Sequence, residues 1–523
     1  MPWSVSDARR PGSHEATDQS APAHVDVRLV PAALTTWIVT AAGICWPVGR
    51  VLASCGLMLV AASCAQLCYV ARRPGRDPRL RGIGAGLLAV GVVGAGFGFA
   101  IALRTDAVAR HPITAAFGTA VPVTVTPTES ALSLGRGRLM FRATLQRLRD
   151  DEMSGRVVVF APVADFGDAM VGRPMRFTAR VNRPARHDLT VAVLNATGRP
   201  AMGTASAVQR AAHAVRSRFA AAARDALPAG QAAMLPALIL GDTSAVDPET
   251  SRDFRAAGMT HLTAVSGANV TIVCAAVLFS ARLIGPRAAV VLAAVTLVAF
   301  VIVVQPTASV LRAAVMGAIT LAGMLTSRRR QAIPALSAAV LILLVVAPQL
   351  AVDVGFALSV VATAALVVIA PVWSRRLTGR GCPKPLADAL AVAWAAQLVT
   401  APLIAGISGR FSLVAAFANL AVAAVIAPIT VLGTAAAALC MSSWPAGAQL
   451  LIRFTGPELW WVLSVARWAA GVPAATVPVP SGATGVLLVG AATVLIVLVV
   501  LLAPLLWRQR WFRASDRHDT IVG

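Results

Sequence analysis

A serine needs a neighbouring base before it can attack a carbonyl, and His261 and Ser266 lie five positions apart in Leu238–Val270, LILGDTSAVDPETSRDFRAAGMTHLTAVSGANV. On a continuous helix that spacing turns the two side chains about 140° apart, so a direct pair requires a bend. Otherwise His261 reads as a polar cap at a membrane interface and Ser266-Gly267 as a close-packing or kink site. The same stretch carries Asp242, Asp247, Glu249, Asp253 and Asn269. As the outer domain ends here and a membrane helix begins, most of these acids are expected to cap helices or pair with arginines. Ser266 and Asn269 then remain as contacts for a passing ligand. Further along, Arg312 follows Gln305-Pro-Thr307, and Asp353 precedes Gly355-Phe356 and Ser359. Arg312 and Asp353 either meet as a buried ion pair or line an outer vestibule, which Gln397 and Asn419 would share.

Some chemistry is excluded. A phosphate-cradling loop ends in Lys-Ser or Lys-Thr, whereas the single lysine, Lys384, precedes Pro385. The histidines, at 14, 24, 111, 187, 213, 261 and 518, form no HxH or HxxxH cluster, so no metal or other cofactor is expected. None of the cysteines, at 45, 55, 64, 68, 274, 382 and 440, falls in the large polar insert, which excludes a disulfide framework there.

The elements that position these residues are mostly apolar. The 523 residues are 57% hydrophobic and only 13% charged, with mean hydropathy +0.73, the composition of a polytopic membrane protein. Apolar segments run over 28–46, 48–70, 82–103, 262–284, 287–304, 308–326, 332–350, 354–373, 388–406 and 483–507, most near the ~20 residues that a span requires. Arg72, Arg73, Arg76, Arg79 and Arg81 place the second loop in the cytoplasm by the positive-inside rule. Alternation then puts the basic loops at 282–287, 327–330 and 375–384 on the same side. Region 411–472 has two readings. In the favoured one, 411–440 breaks at Pro428 into two half-spanning helices and 447–470 lies amphipathic on the outer surface; in the other, 411–440 is one kinked span and 447–470 crosses.

The insert after the third span alternates apolar and polar residues over 121–125, 139–145, 156–160, 175–181 and 189–193. Five short strands suit a small barrel. Arginines outnumber acids in it, which fits either a polyanion partner or an ordinary solvated surface. Residues 206–227 then read as an amphipathic helix with Val208, Ala212, Val215, Phe219 and Ala223 on one face, lying in the headgroup layer or packed on the barrel.

Gly241-Asp242, Phe254, Gly258, His261-Leu-Thr-Ala-Val-Ser-Gly267 and Val270 resemble the signature of the ComEC competence family, the inner-membrane channel for DNA uptake in transformable bacteria. Ser309–Met316, Pro348–Asp353, Gly355–Ser359, Gln397–Pro402 and Asn419–Pro428 follow in that family's order. The resemblance is strong over about 230–510 and weaker in the insert. It implies passage of single-stranded DNA across the cytoplasmic membrane through an all-α polytopic domain of about 12 hydrophobic segments, with an inserted external OB-like β domain receiving the strand. The domains would be a disordered cytoplasmic tail (1–26), three transmembrane helices (27–103), the OB-like domain (104–203), the amphipathic helix (204–230), the channel domain (231–507) and a basic cytoplasmic tail (508–523).

The implied channel and motif residues are Gly241, Asp242, His261, Ser266, Gly267, Asn269, Arg312, Asp353, Phe356, Ser359, Gln397 and Asn419. On the outer domain, Arg142, Arg156, Arg176 and Arg180 would meet phosphate and Phe141 and Phe177 would stack bases, although Phe141, Phe160 and Phe177 equally suit a barrel core. Implied partners are membrane lipid, an external DNA receptor, a cytoplasmic helicase-like ATPase, strand-binding proteins and further copies of the chain. Two departures stand out. Many relatives have His where Asn269 stands, and many carry a metallo-β-lactamase-like domain whose HxHxDH motif this sequence lacks. The protein is therefore expected not to be an enzyme, and strand degradation is expected to belong elsewhere. The alternatives are a transporter of a small anionic or lipid-linked substrate, without a visible internal repeat, and an intramembrane hydrolase or acyltransferase using Ser266 and His261.

Overall fold

The computed structural model describes residues 26–72, 78–263, 265–305, 307–325, 331–442, 444–495 and 497. The expected amino-terminal tail before Asp26, Arg73 and Arg76, the loop 327–330 and the tail 508–523 lie outside the described residues.

Three helices, α1 (Val30–Cys45), α2 (Gly49–Ala71) and α3 (Pro78–Ala109), open the fold. Glycines bring α2 and α3 together: a methyl at Gly56 would meet Ala95 N at 2.5 Å, and one at Gly98 would meet Ala53 N at 2.7 Å. Helices in lipid associate through such small residues, because apolar side chains gain nothing there by leaving lipid. Helix α3 outruns the expected 82–103 at both ends, and Arg50 pairs with its Asp106.

The insert is a closed barrel. Strands β1 (Ala120–Pro127), β2 (Leu132–Gly135), β3 (Arg138–Leu148), β4 (Asp151–Pro162), β5 (Met175–Asn182) and β6 (Ala192–Met202) join in the order β1-β5-β6-β4-β3, closed by β3 on β1, with β2 hairpinned to β3. Only the β4–β6 pair is parallel; a short helix α4 (Val163–Phe166) follows β4. Alternation sends Val121, Val123 and Val125, with Leu139, Phe141, Ala143 and Leu145, into one core. The fifth barrel strand starts later than expected. Leu189 has φ +64, and the strand runs on through Gly198 and Pro200, residues that read locally as a turn.

Helix α5 (Ala207–Ala226) is capped by the Ser206 side chain, which accepts from Gln209 N. Its apolar face is neither against the barrel nor open: Phe219 and Ala223 are buried with α6 (Ala229–Leu240) in the main helical core, while Val208 is exposed. Helix α6 is buried almost all round, as a central helix should be. Then follow α7 (Pro248–Ala256), α8 (Thr260–Thr263), α9 (Gly267–Ala281), α10 (Pro286–Val304), α11 (Ala308–Leu325), α12 (Ala332–Val346), α13 (Val354–Val368), α14 (Ala370–Thr378) and α15 (Lys384–Ser408).

Helix α16 (Ala415–Leu439) runs unbroken through Pro428, which corrects the favoured reading of two half-spanning helices. A proline costs one helix bond, but unwinding in apolar surroundings would strand several backbone groups without water. The stretch 447–470 is not one surface helix. It divides into α17 (Pro445–Phe454) and α18 (Gly456–Gly471) at buried Thr455, whose hydroxyl donates to Ile452 O at 2.7 Å. Ile452, Leu459, Val462 and Ala466 join the main core; Phe454, Trp460, Trp461 and Trp468 face outward. A ribbon of β7 (Arg410–Ser412) and β8 (Thr476–Pro478), which no sequence pattern announces, precedes α19 (Ala483–Leu495).

Among the described residues, seven helices are long and apolar enough to cross a membrane: 49–71, 80–116, 286–304, 308–325, 354–378, 384–408 and 415–439. Five more apolar helices have 10–17 described residues; of these, 30–45, 229–240, 267–281 and 332–346 fall short of the ~30 Å core alone, while 483–495 adjoins residues outside the described ones. Among the described residues seven segments thus reach spanning length, and the expected count of about 12 hydrophobic segments is not confirmed.

Candidate functional site

Helix α6 ends on Gly241 in the left-handed region at φ +70, which costs glycine little and turns the chain sharply. Asp242 follows, and its Oδ1 accepts from the Ser244 hydroxyl at 2.6 Å. Its Oδ2 lies 3.8 Å from Arg216 on α5, which also donates to Leu240 O and Val303 O at 3.2 and 3.4 Å. Burial lowers the Arg216 pKa, and Asp242 opposes the shift. Arg216 thereby fastens α5 to the ends of α6 and α10. Asp247 caps α7 by accepting from Glu249 N. The expectation of capping and pairing acids holds for Asp242 and Asp247.

A break between α8 and α9 supplies the bend that a His261–Ser266 pair would need. The Ser266 hydroxyl instead donates to Asn269 Oδ1 at 3.2 Å, and Asn269 Nδ2 donates to Leu238 O at 2.9 Å. The Asn269 amide is therefore engaged inside the protein, where it is 5% exposed and satisfies a carbonyl that the end of α6 leaves open.

Next to this pair, Gly267 admits Arg312. A methyl there would lie 2.7 Å from Arg312 Nη2 and 3.2 Å from Ala313 Cβ. Arg312 is 7% exposed; its Nε donates to Ser359 Oγ at 2.7 Å, and Ser359 donates on to Ser309 Oγ at 3.3 Å. Of the two readings of Arg312 and Asp353, the ion pair does not form. Asp353 instead caps α13, accepting from Phe356 N at 2.8 Å, because a carboxylate there answers the free amides and the helix dipole. Among the described residues Arg312 has no carboxylate partner. Phe356 is fully buried, its ring 5.3 Å from that of Trp37.

A second polar group flanks the other side of α8. Gly258, at φ +69, lets the chain touch α16, where a methyl would meet Ala415 Cβ at 2.4 Å. Asn419 Nδ2 reaches Gly258 O at 3.5 Å, and the Ser412 hydroxyl donates to Ala256 O at 2.9 Å. Gln397 Nε2 reaches Ser412 O at 3.5 Å. Residues scattered from 238 to 419 thus bracket the segment His261–Gly267.

The barrel meets the helices near this site, where the Ser130 hydroxyl donates to Gln305 Oε1 at 2.6 Å. Arg142 and Arg156 lie on the outward face of β3 and β4, where Asp353 acts on both. Arg142 donates to both oxygens of Glu129 at 3.2 Å; burial pulls its pKa down, but Glu129, Asp353 and Asp188 together outweigh this and raise it. Burial, then the nearby Arg142, lowers the Arg156 pKa, and Arg156 Nη1 is buried without a partner. Arg176 pairs with Asp150 at 3.6 Å, and Arg180 is exposed. Phe141 and Phe177 are core residues, 2% and 4% exposed, so neither is a stacking platform. Phe160 points outward instead, with the Arg138 guanidinium 5.9 Å from its ring centroid.

The family model described as Competence protein matches residues 238–505, just over half of the chain. The chain belongs to the competence family. That matched region holds both polar groups and starts at Leu238, whose carbonyl receives Asn269. The chain is also similar to ComE operon protein 3 of Bacillus subtilis (strain 168), at 24% identity over 277 residues. The similarity covers 53% of this chain and 35% of that relative, so the chain spans about a third of the relative's length. No solved structure matches.

Proposed function

We propose that this membrane protein takes part in DNA uptake as a non-enzymatic conduit for a single DNA strand. The observation that carries the reading is Arg312: a cation buried in an apolar bundle, held by a serine and with no carboxylate partner among the described residues. Intramembrane charge is costly without compensation, and a passing phosphate would supply it. The barrel supports the same reading. Its five main strands close in the order 1-2-3-5-4-1, that of an OB barrel, whose second and third strands offer the oligonucleotide face. Here that face carries Arg138, Arg142, Arg156 and Phe160 beside the helices that hold Asp353. By the charge rule the barrel lies outside the cytoplasmic membrane and both termini inside. An external DNA receptor, a cytoplasmic helicase-like ATPase and strand-binding proteins are the partners such a conduit requires.

The test is strand transport by the full chain in vesicles. Arg312→Gln should reduce passage of a labelled oligonucleotide at least about tenfold, the loss of one charge-assisted contact, while Arg312→Lys retains part of it. Unaltered passage in Arg312→Gln overturns the reading. Arg312 serves any anion equally well, so a small organic anion is the necessary control. Preferential transport of that anion would establish the second reading, a transporter of small anionic or lipid-linked substrates. The Ser266 hydroxyl bonds to Asn269, which supports the conduit over the hydrolase or acyltransferase.

A further inference from the structure

A cavity of about 230 Å³ opens between α6, α7 and α18, apart from both polar groups described above. Asp253 of α7 and Arg467 of α18 both line it, yet among the described residues they form no ion pair with each other or with any other group. Among the described residues the Arg467 side chain reaches only Ser464 Oγ, at 3.4 Å. Gln231 and Thr250 also line it, and their side chains make no hydrogen bond among the described residues. Phe254, 1% exposed, forms an apolar wall, and Trp460, 56% exposed, stands at the rim. Opposite charges across one cavity, both available, suit a ligand that carries both signs. The rim residue belongs to an outward row on α17 and α18 that includes Phe454, Trp461 and Trp468, the pattern of residues seated at a membrane interface.

We propose that this cavity binds the headgroup of an aminophospholipid. Its ammonium would meet Asp253 and the face of Trp460, and its phosphate would meet Arg467. The carboxylate argues against a nucleic-acid backbone as the occupant, since Asp253 repels phosphate unless a cation lies between. The proposal stands independently of strand transport.

Native mass spectrometry of the delipidated full chain, titrated with phosphatidylethanolamine or phosphatidylglycerol, tests it. The unaltered protein should retain phosphatidylethanolamine preferentially. Asp253→Asn should weaken that lipid about tenfold or more and leave phosphatidylglycerol bound as well or better, since the repelling carboxylate is gone, while Arg467→Gln weakens both. Phosphatidylcholine, which keeps the charge but has no ammonium hydrogens, should bind the unaltered protein less well than phosphatidylethanolamine, a comparison that needs no variant to fold. Equal retention of the lipids, or a preference that persists in Asp253→Asn, overturns the proposal. Displacement of bound phosphatidylethanolamine by a single-stranded oligonucleotide overturns it in favour of a nucleic-acid site.

Discussion

Asn269 and Arg312 share a neighbourhood but do different work. Asn269 spends both ends of its amide on protein groups, Ser266 and the Leu238 carbonyl, and so ties the start of α9 to the end of α6. Replacing it with leucine leaves that buried carbonyl without a donor, which should cost about 1–3 kcal/mol and lower the melting temperature of the detergent-solubilised protein. An unshifted melting temperature would show that the amide is not structural. Arg312 is held by neutral groups, Ser359 Oγ and Met316 Sδ, beside the gap at Gly267, and with no carboxylate partner among the described residues its charge stays available.

At the scale of elements, backbone proximity decides the amino-terminal helices. Gly56 of α2 lies against the Ala95 backbone, which cannot move aside as a flexible side chain would. Gly56→Ala should therefore separate α2 from α3 at a cost of about 1–3 kcal/mol, readable as a lower thermal midpoint. Gly96→Ala, on α3, adds a methyl into open space and should leave the midpoint unchanged or raise it slightly. Helix α16 shows the reverse balance. Pro428 weakens one bond, but an apolar setting holds the remaining ladder together.

Across the whole molecule, the barrel is placed where its arginine-bearing face adjoins the helical domain, through Ser130 with Gln305 and through Arg142 and Arg156 beside Asp353. Strand binding by the full chain should weaken steeply with salt, since log K falls with log salt by roughly 0.7 for each phosphate neutralised on a single strand. Replacing both Arg142 and Arg156 with alanine should flatten that slope by about 1.4, twice the single contribution. An unchanged slope would place the strand elsewhere, with Arg176 and Arg180 the next cations to examine.

Much of this was legible in sequence, because hydropathy and alternation report burial directly. The α2, α10, α11 and α15 spans, four of the five barrel strands and the pairing of Asp242 with an arginine follow from local pattern. The last barrel strand, expected at 189–193, is displaced to Ala192–Met202, because Gly198 and Pro200 carry turn chemistry, and the β7–β8 ribbon escaped because three residues hold no period. Tertiary structure alone decided which partner each polar residue took. Asp353 is the exception: its cap on α13 is local, because the amides it answers lie within the same turn. For the run Leu238–Val270, sequence established that its polar residues needed partners. Only the packing of α6, α9, α11 and α13 gave Asn269 its carbonyl and left Arg312 without an acid among the described residues, because those contacts join residues far apart in the chain.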